Sequence, residues 1–160
     1  SDLERDGTVS ADLFNRHPRD PRDAFIIISN SGVNSSIVGV AELVKQHGHP
    51  LVVVTSLEHT NKVNPKHASG KRLKDFADVV LDNLAPYGDC TLELDFGMTM
   101  GAISSITGAF IAQLLTLGIA ERLAGRGLTP PVYLSANIPG GDEHNQALTE
   151  QYAGRLRIDA

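Results

Sequence analysis

The chain has 160 residues, of which 41% are hydrophobic, and a formal net charge of -5, a composition typical of one folded domain and not of a disordered segment. The acidic balance disfavours nucleic acid and anionic lipid surfaces as partners, because proteins that bind them usually carry an excess of Lys and Arg. Cys90 is the single cysteine, which excludes an internal disulfide and a cysteine-rich zinc site.

The first half of the chain predicts strands that alternate with helices. Residues 1–23 are polar and rich in Arg, Asp and Pro, so we expect a lead-in loop before a domain over residues 24–160. Short apolar runs rich in β-branched residues predict strands at 24–29, 51–55 and 78–82, with the first two buried on both faces. Apolar spacing also predicts a helix over 33–47, and a short helix is expected over 71–77.

The second half continues this alternation. Apolar and polar residues alternate strictly over residues 91–96, which predicts an edge strand with one solvent-exposed face. No charged residue occurs from Phe96 to Ala120, and a long helix is predicted over 101–124. Its length would allow it to cross a bilayer, but its hydroxyl residues and glycines favour a helix that is buried or contacts another subunit. An extended piece at 132–135 and a helix at 142–153 follow.

Alternating strands and helices predict a single α/β domain with a parallel sheet, in which ligands bind beyond the carboxyl ends of the strands. The loop over residues 29–36, Ser-Asn-Ser-Gly-Val-Asn-Ser-Ser, follows the first strand. Gly32 allows a ligand close to the backbone, and the next helix offers free N–H groups, so a phosphomonoester is the favoured ligand. The loop has no lysine, which argues against a nucleoside triphosphate. The alternative is that its polar residues only cap the helix.

Two Glu-His pairs are candidates for acid–base chemistry, because a carboxylate beside an imidazole can move protons to and from carbon and oxygen. Glu58 and His59 follow the second predicted strand, and Glu143 and His144 open the last predicted helix. For Glu143 the alternative is a structural role, because acidic residues are favoured in the first turn of a helix.

Other titratable residues carry weaker expectations. His67 lies in a basic patch that either meets phosphate or is simply solvated; the patch also contains Lys62, Lys66, Lys71 and Arg72. We expect His17, His47 and His49 at the surface. No two potential ligands have a zinc-like spacing on one helix face, so no metal site is predicted.

Several motifs resemble the SIS (sugar isomerase) domain family. Residues 29–34 resemble its second phosphate loop. Longer strings resemble a bacterial family of stand-alone SIS proteins, which is more distantly similar to N-acetylmuramic acid 6-phosphate etherases. Those strings are Val54–His59, His67–Leu73, Pro86–Asp89, Ser135–Asn137 and Gly140–Asn145. The resemblance covers about residues 23–157, nearly the whole chain.

The resemblance implies a three-layer sandwich with a flavodoxin-like parallel sheet, a homodimer, and a phosphosugar site at the subunit interface. By position, the loop residues would hold phosphate with help from the end of the second strand, and Glu143 and His144 would reach the sugar. The resulting candidate phosphate-binding residues are Ser29, Asn30, Ser31, Gly32, Asn34, Thr55, Ser56, His67 and Lys71.

Members of the resembled family carry an amino-terminal segment with helices, a first strand and a Gly-Ser-Gly-His-Ser loop, to which this sequence has no match. That strand lies in the middle of their sheet. We therefore expect these 160 residues to be the carboxy-terminal portion of a longer chain.

Some actinobacterial members that resemble this chain are N-acetylglucosamine 6-phosphate dehydratases, so our leading hypothesis is a lyase of that kind. Glu58 or Glu143 would remove the C2 proton, and His59 or His144 would assist ring opening or departure of the C3 hydroxyl. The sugar carbonyl is the electron sink, so neither a metal nor an organic cofactor is expected. An aldose–ketose isomerase and a non-catalytic phosphosugar sensor are the alternatives. No signal-peptide pattern is present, which predicts a cytoplasmic location.

Overall fold

The computed structural model describes residues 2–16 and 18–155. The helices are α1 (Asp2–Arg5), α2 (Ser10–Asn15), α3 (Ser35–Gln46), α4 (Leu57–Lys62), α5 (Ile103–Ala124) and α6 (Gly141–Gln151). The strands are β1 (Phe25–Ile28), β2 (Leu51–Thr55), β3 (Val79–Asp82), β4 (Cys90–Glu93) and β5 (Thr99–Ala102), and 3₁₀ turns cover Gly7–Val9 and Leu73–Phe76. The chain divides into two compact units, residues 1–111 and residues 112–160.

A three-stranded parallel sheet in the order β1-β2-β3 lies in the first unit. Ile27 of β1 is aligned with Val53 of β2, which is aligned in turn with Val80 of β3. The strands consist mainly of Val and Ile, whose branched side chains pack well on a pleated surface. The predicted α/β class with a parallel sheet is confirmed, and β2 has the predicted bounds.

Helix α3 covers one face of this sheet. Its apolar residues Val38, Ala41 and Val44 form one stripe of the helix, and all three are fully buried. They belong to the same cluster as Leu51 and Val53 of β2. Burial of this stripe explains why the helical spacing in the sequence located α3 within two residues at its start and one at its end.

Residues 2–16 differ from the predicted lead-in loop. They form α1, a 3₁₀ turn and α2, and Phe14 of α2 is only 5% exposed. The Phe14 ring stacks on Phe25 with 5.8 Å between centroids, and the Arg19 guanidinium lies 4.0 Å from its centroid. The buried Phe14 ring and the buried Ser10, whose hydroxyl donates to the Ser36 carbonyl at 3.0 Å, therefore anchor this segment. The Arg-, Asp- and Pro-rich stretch over residues 18–23 is irregular, as predicted.

The histidines expected at the surface have different environments. His47 is exposed, but the expectation for His49 was wrong, because His49 is 5% exposed. Its Nδ1 lies 3.1 Å from the Asp23 carbonyl oxygen and its ring packs against Phe25. His17 lies outside the described residues. Ser1, which begins the predicted lead-in loop, and residues 156–160, which end the predicted domain, also lie outside them.

The second face of the sheet is partly open, so the prediction that β1 is buried on both faces was wrong for the described chain. Ile26 and Ile28 are each 47% exposed. Gly108 of α5 lies against Ile28, since a Cβ atom at Gly108 would be 3.7 Å from Ile28 Cγ2. Within residues 2–16 and 18–155, the outer edge of β1 pairs with no strand.

Residues 90–102 form a separate antiparallel hairpin, in which β4 pairs with β5. The edge strand predicted over 91–96 is therefore displaced, because its last residues turn at Gly97, which has a φ of +76°. Gly97 donates its N–H to the Leu94 carbonyl and closes that turn. The hairpin leads into α5, whose first turn is capped by Asp89: the Ser104 N–H donates to Asp89 Oδ1 at 2.8 Å.

Helix α5 has the predicted position and is long and apolar enough to cross a membrane, with a mean hydropathy of 1.7 over its most apolar window. One such helix is weak evidence for a span, because length and composition alone do not separate it from other apolar helices. Gly108 is its one buried residue in the described chain. Contact with another subunit, the remaining sequence-based alternative, stays a prediction.

The second unit contains an extended segment that packs beside α6. The Asn145 side chain accepts the Leu134 N–H and donates to the Leu134 carbonyl, both at 2.8 Å. The predicted extended piece over 132–135 is therefore held by a side chain and not by a neighbouring strand. The last predicted helix corresponds to α6, which begins one residue earlier and ends two residues earlier than expected.

Replacing Phe14 with Ala tests whether α2 is part of the folded core. We expect Phe14→Ala to lower the free energy of unfolding by about 3–5 kcal/mol, the usual cost of removing a buried phenylalanine ring. Leu3→Ala is the matched control, because Leu3 is 67% exposed on the same segment. Urea unfolding of the complete gene product measures both, and equal small effects would show that α2 contributes nothing to the core.

Asp78 predicts a pH dependence of stability. The Lys45 ammonium, 2.6 Å away, and the Leu51 N–H hold the pKa of this carboxyl below its ordinary value of 3.8. A lowered folded-state pKa stabilises the fold above that value, and this stability is lost as the pH falls through the folded-state pKa. Asp78→Asn should therefore lower stability at pH 7 and have little effect in acid. An equal loss at both pH values in urea titrations would contradict this.

Candidate functional site

The carboxyl ends of the three parallel strands are held together at Asn30. Its backbone carbonyl accepts the Thr55 hydroxyl at 3.0 Å and the Ser56 N–H at 3.1 Å. Its side-chain oxygen accepts the Asn83 amide at 3.0 Å. Asn30 therefore joins β1 to the residues after β2 and β3, and it fixes the start of the loop that the sequence singled out.

Gly32 gives this loop its shape. Its φ of +58° is strained for residues with a side chain, and a Cβ here would be 3.1 Å from Thr55 Oγ1 and 3.3 Å from Leu73 Cβ. The Ser29 hydroxyl accepts the Gly32 N–H at 3.3 Å, and the Gly32 carbonyl accepts the Leu73 N–H at 2.8 Å. The loop is thus held from both sides against the sheet.

The N-terminus of α3 lies directly after this loop and has no side-chain cap. Asn34 occupies the N-cap position with φ -70° and ψ 140°, but its side chain accepts no N–H from the first turn. The alternative interpretation was that the polar residues of the loop only cap the helix. The side chain at the N-cap position makes no such bond in the described residues, so the structure does not support this alternative. An uncapped helix N-terminus presents N–H donors and a partial positive charge, which suit an anion.

The other predicted phosphate ligands lie at different depths. Ser31 is half-buried, and its hydroxyl has no hydrogen-bond partner within the described part of the chain. Thr55 and Ser56 are fully buried, and their hydroxyls donate to the carbonyls of Asn30 and Ala85. They support the loop from below, and their contact with phosphate stays a prediction.

Besides the Ser31 hydroxyl in the loop, one hydroxyl beneath the loop has no hydrogen-bond partner among the described residues. Thr60 of α4 is fully buried, and its Oγ1 has no hydrogen-bond partner among the described residues. It lies 3.4 Å from the position that a Cβ of Gly32 would occupy.

Lys66 reaches the loop, although the sequence placed it only in the basic patch. Its ammonium donates to Asn34 Oδ1 at 3.0 Å. The two basic-patch residues chosen as phosphate ligands make other contacts: His67 Nδ1 is 2.8 Å from Ser69 Oγ, and the Lys71 ammonium is 5.0 Å from the centre of the Phe76 ring. Their contact with phosphate stays a prediction. Nothing in the local pattern separates Lys66 from its neighbours, because its contact is with a residue 32 positions earlier.

Glu58 lies on the first turn of α4, a short helix that the sequence pattern did not predict. Ser56 caps this helix by accepting the His59 N–H at 2.9 Å. The Glu58 carboxylate accepts a hydrogen bond from the Lys62 ammonium at 2.8 Å. This bond and the Tyr87 backbone N–H lower the pKa of Glu58 below its ordinary value, which makes its carboxylate a weaker base.

His59 is held in one orientation by the chain after β3. The Gly88 N–H donates to His59 Nδ1 at 3.0 Å, and the imidazole stacks on Tyr87 with 5.4 Å between centroids. Because an N–H donor requires a lone pair on Nδ1, the neutral ring carries its proton on Nε2. His59 therefore offers an N–H donor at Nε2.

In the second unit, Glu143 and His144 lie in the first turn of α6. The His144 Nε2 is 2.9 Å from the Val132 carbonyl oxygen, so the neutral ring donates from Nε2 and has a lone pair on Nδ1. Glu143 is exposed. His144 thus has the arrangement of a base oriented by a second group, in which Nδ1 is the atom available to accept a proton.

No group of three or more His, Cys, Asp or Glu residues that could hold a metal ion occurs in residues 2–16 and 18–155.

The hydrogen-bond partners predict the tautomers of three histidines. We expect the neutral rings of His59 and His144 to be protonated on Nε2, and His47 on Nδ1, since His47 Nδ1 is 2.9 Å from the Leu43 carbonyl oxygen. Long-range nitrogen–proton NMR correlation at pH 8 distinguishes the two forms, and His47 is the internal reference. Protonation of His59 on Nδ1 would be incompatible with the Gly88 contact.

Comparison with known proteins supports a family assignment. Residues 1–56, which include β1, the loop and β2, match the family described as SIS domain. The chain is 41% identical over 150 residues to a UPF0309 protein of Listeria monocytogenes serovar 1/2a, covering 92% of this chain and 64% of that protein. It is 36% identical over 157 residues to a UPF0309 protein of Caldanaerobacter subterraneus, covering 96% and 64%.

A UPF0309 protein of Listeria innocua is 38% identical over 137 residues, which cover 85% of this chain and 56% of that protein. The chain therefore spans roughly three fifths of the length of these relatives, 56% to 64%. Their names state no activity. The α/β fold with its parallel sheet is consistent with the SIS fold, and these matches together support the SIS-domain family for this chain.

Proposed function

We propose that this protein is an enzyme that binds an amino-sugar 6-phosphate, most specifically N-acetylglucosamine 6-phosphate, and removes water from it. The observation that carries the proposal is the uncapped N-terminus of α3 behind the Gly32 loop, inside the segment that matches the SIS domain. The match to the SIS domain suggests phosphosugar binding. The dehydration step is the further part of the proposal.

The phosphate group would lie at the start of α3. The Ser31 hydroxyl and the N–H groups of the first turn are donors for phosphate oxygens. Gly32 lets the loop pack closely against Thr55 and Leu73, which holds these donors in place. Ser29 and Asn30 shape the loop, and Asn34 lies at its end. This assignment uses backbone donors and hydroxyls, which bind a phosphomonoester without a nucleotide-type lysine motif.

The reaction begins with the open-chain aldehyde, whose carbonyl makes the C2 proton acidic. A carboxylate takes that proton, the C2–C3 double bond forms, and the C3–O bond breaks. A protonated imidazole nitrogen gives its proton to the departing hydroxyl, so the products are water and a 2,3-unsaturated sugar phosphate. The substrate carbonyl holds the electron pair during the step, so the proposal includes no metal or organic cofactor.

The surroundings of the two glutamates favour Glu143 as the base. The carboxylate of Glu58 already binds the Lys62 ammonium, and its lowered pKa reduces its proton affinity. A general base works best when its pKa lies near the operating pH, so a further lowering costs rate. Glu143 has no ion-pair partner in the part of the chain that the structure describes.

The two histidines suit opposite roles. His59 offers an Nε2–H donor, which fits a group that hydrogen-bonds or protonates a sugar oxygen. His144 offers a lone pair on Nδ1, which fits a group that accepts a proton during ring opening. These assignments follow from the partner of each ring and are part of the proposal.

The proposal also includes a homodimer in the cytoplasm. Helix α5 exposes a stripe of large apolar residues at Ile106, Phe110, Leu114 and Leu117, each more than half exposed. A stripe at this spacing suits contact with another helix.

The experiment that tests the reaction uses the complete gene product and N-acetylglucosamine 6-phosphate in heavy water, followed by proton NMR. We expect the C2 and C3 signals to disappear and a vinyl signal to appear. Replacement of the C2 proton by deuterium, together with the appearance of a ketose product, would identify an isomerase instead. An unchanged substrate that still binds would contradict catalysis and support a phosphosugar sensor.

Glu143→Gln tests the assignment of the base. We expect kcat to fall about 10²- to 10⁴-fold, the usual contribution of a general base, with little change in substrate affinity. Asp142→Asn is the matched control, because Asp142 is an exposed acid in the same helical turn. Steady-state kinetics measures kcat, and isothermal titration calorimetry measures the substrate affinity. A parallel loss of both would contradict the assignment of Glu143 as the base.

A further inference from the structure

The backbone of Lys66 is bonded to the Gly32 loop, residues 29–36. Its N–H donates to the Val33 carbonyl at 3.1 Å, and its carbonyl accepts the Ser35 hydroxyl at 2.8 Å. These bonds join it to the residues on either side of Asn34. The position of Lys66 therefore does not depend on its side chain, which is free to change partner.

The ammonium of Lys66 lies where a cation is electrostatically unfavourable. It binds Asn34 Oδ1 at the N-terminus of α3, the positive end of the helix dipole. An amide oxygen accepts the hydrogen bond but does not neutralise the charge. In residues 2–16 and 18–155, Lys66 has no carboxylate partner. An anion bound at this point would be attracted by both the helix and the ammonium.

The neighbouring cations have other partners. Arg72 donates to the carbonyls of Thr60 and Val63, which holds the end of α4. The remaining contacts are Lys62 with Glu58, Lys74 with Asn61, and Lys71 with the Phe76 ring. Among the described cations of residues 62–74, Lys66 is the one directed at the loop.

We propose that Lys66 supplies the positive charge that binds the ligand's phosphate group and selects a phosphorylated sugar over its unphosphorylated form. This rests on the proposed function, which places phosphate at α3. Asn34 holds the ammonium in the absence of ligand, and the ammonium then transfers its hydrogen bond to a phosphate oxygen. The ligand class is a phosphomonoester dianion, with the charge shared between Lys66 and the helix N-terminus.

The test compares Lys66→Met with Lys74→Met in the complete gene product, by isothermal titration with N-acetylglucosamine 6-phosphate and with inorganic phosphate. Lys74→Met removes the same charge eight residues away, from a side chain that binds Asn61. We expect Lys66→Met to weaken sugar-phosphate binding about 10- to 100-fold, the range for a lost charge-assisted hydrogen bond, and Lys74→Met to have little effect. Lys66→Arg should restore most of the affinity, and all variants should keep the wild-type Tm.

The ionic-strength dependence gives a second readout that a purely structural role would not move. Added salt should weaken binding to the wild-type protein more than binding to Lys66→Met, because the variant has lost the charge that salt screens. Equal weakening by Lys66→Met and Lys74→Met would indicate a general effect of net charge and overturn the specific role.

The outcomes separate this proposal from the proposed function. Tight binding of the sugar phosphate by both the wild type and Lys66→Met would overturn the role of Lys66 alone. Binding of inorganic phosphate that depends on Lys66, without binding of N-acetylglucosamine 6-phosphate, would support Lys66 and overturn the named substrate. Binding of neither probe by the wild type would overturn both.

Discussion

The backbone carbonyl of Asn30 is the point on which the site depends. It accepts two hydrogen bonds from the residues at the end of β2, and the Asn30 side chain adds a third from Asn83 after β3. Buried polar groups are costly unless they are paired, so these bonds fix one relative position of three strand ends. Because the Gly32 loop starts at Asn30, these bonds also fix where the loop lies, and α3 begins directly after the loop.

Polar side chains from distant parts of the sequence lie at this same edge of the sheet. Asn34 ends the loop after β1, His59 lies on the helix after β2, and Gly88 follows β3 and orients the His59 ring. Lys66 returns to Asn34 from the connection between β2 and β3. Parallel strands place these segments side by side because each strand ends at the same edge. An uncapped helix N-terminus and a fixed hydrogen-bond donor thus lie at the same edge of the sheet because the strands are parallel.

The sequence predicted best what local patterns encode. The apolar runs located β1, β2 and β3, and the position of Gly32 within a polar run located the loop. It failed where a few buried residues decide the structure: the buried ring of Phe14 packs α2 against the core in a segment predicted to be a loop, and His49 is buried beside Phe25. The Arg-, Asp- and Pro-rich stretch over residues 18–23 is irregular, as predicted. The sequence also failed for Lys66, because a hydrogen bond across 32 residues leaves no periodic trace. The candidate roles of the loop and both Glu-His pairs remain predictions.

The open edge of β1 has a consequence for handling the protein in solution. Phe25–Ile28 is an uncharged run with two half-exposed isoleucines, and its outer backbone groups pair with no described strand. An unprotected edge of this composition is a template for another extended chain, because hydrogen bonding between strands needs no particular side chain. Copies of this segment that meet at high concentration would extend one another's sheets, so the solubility of a preparation would report directly on whether that edge is covered.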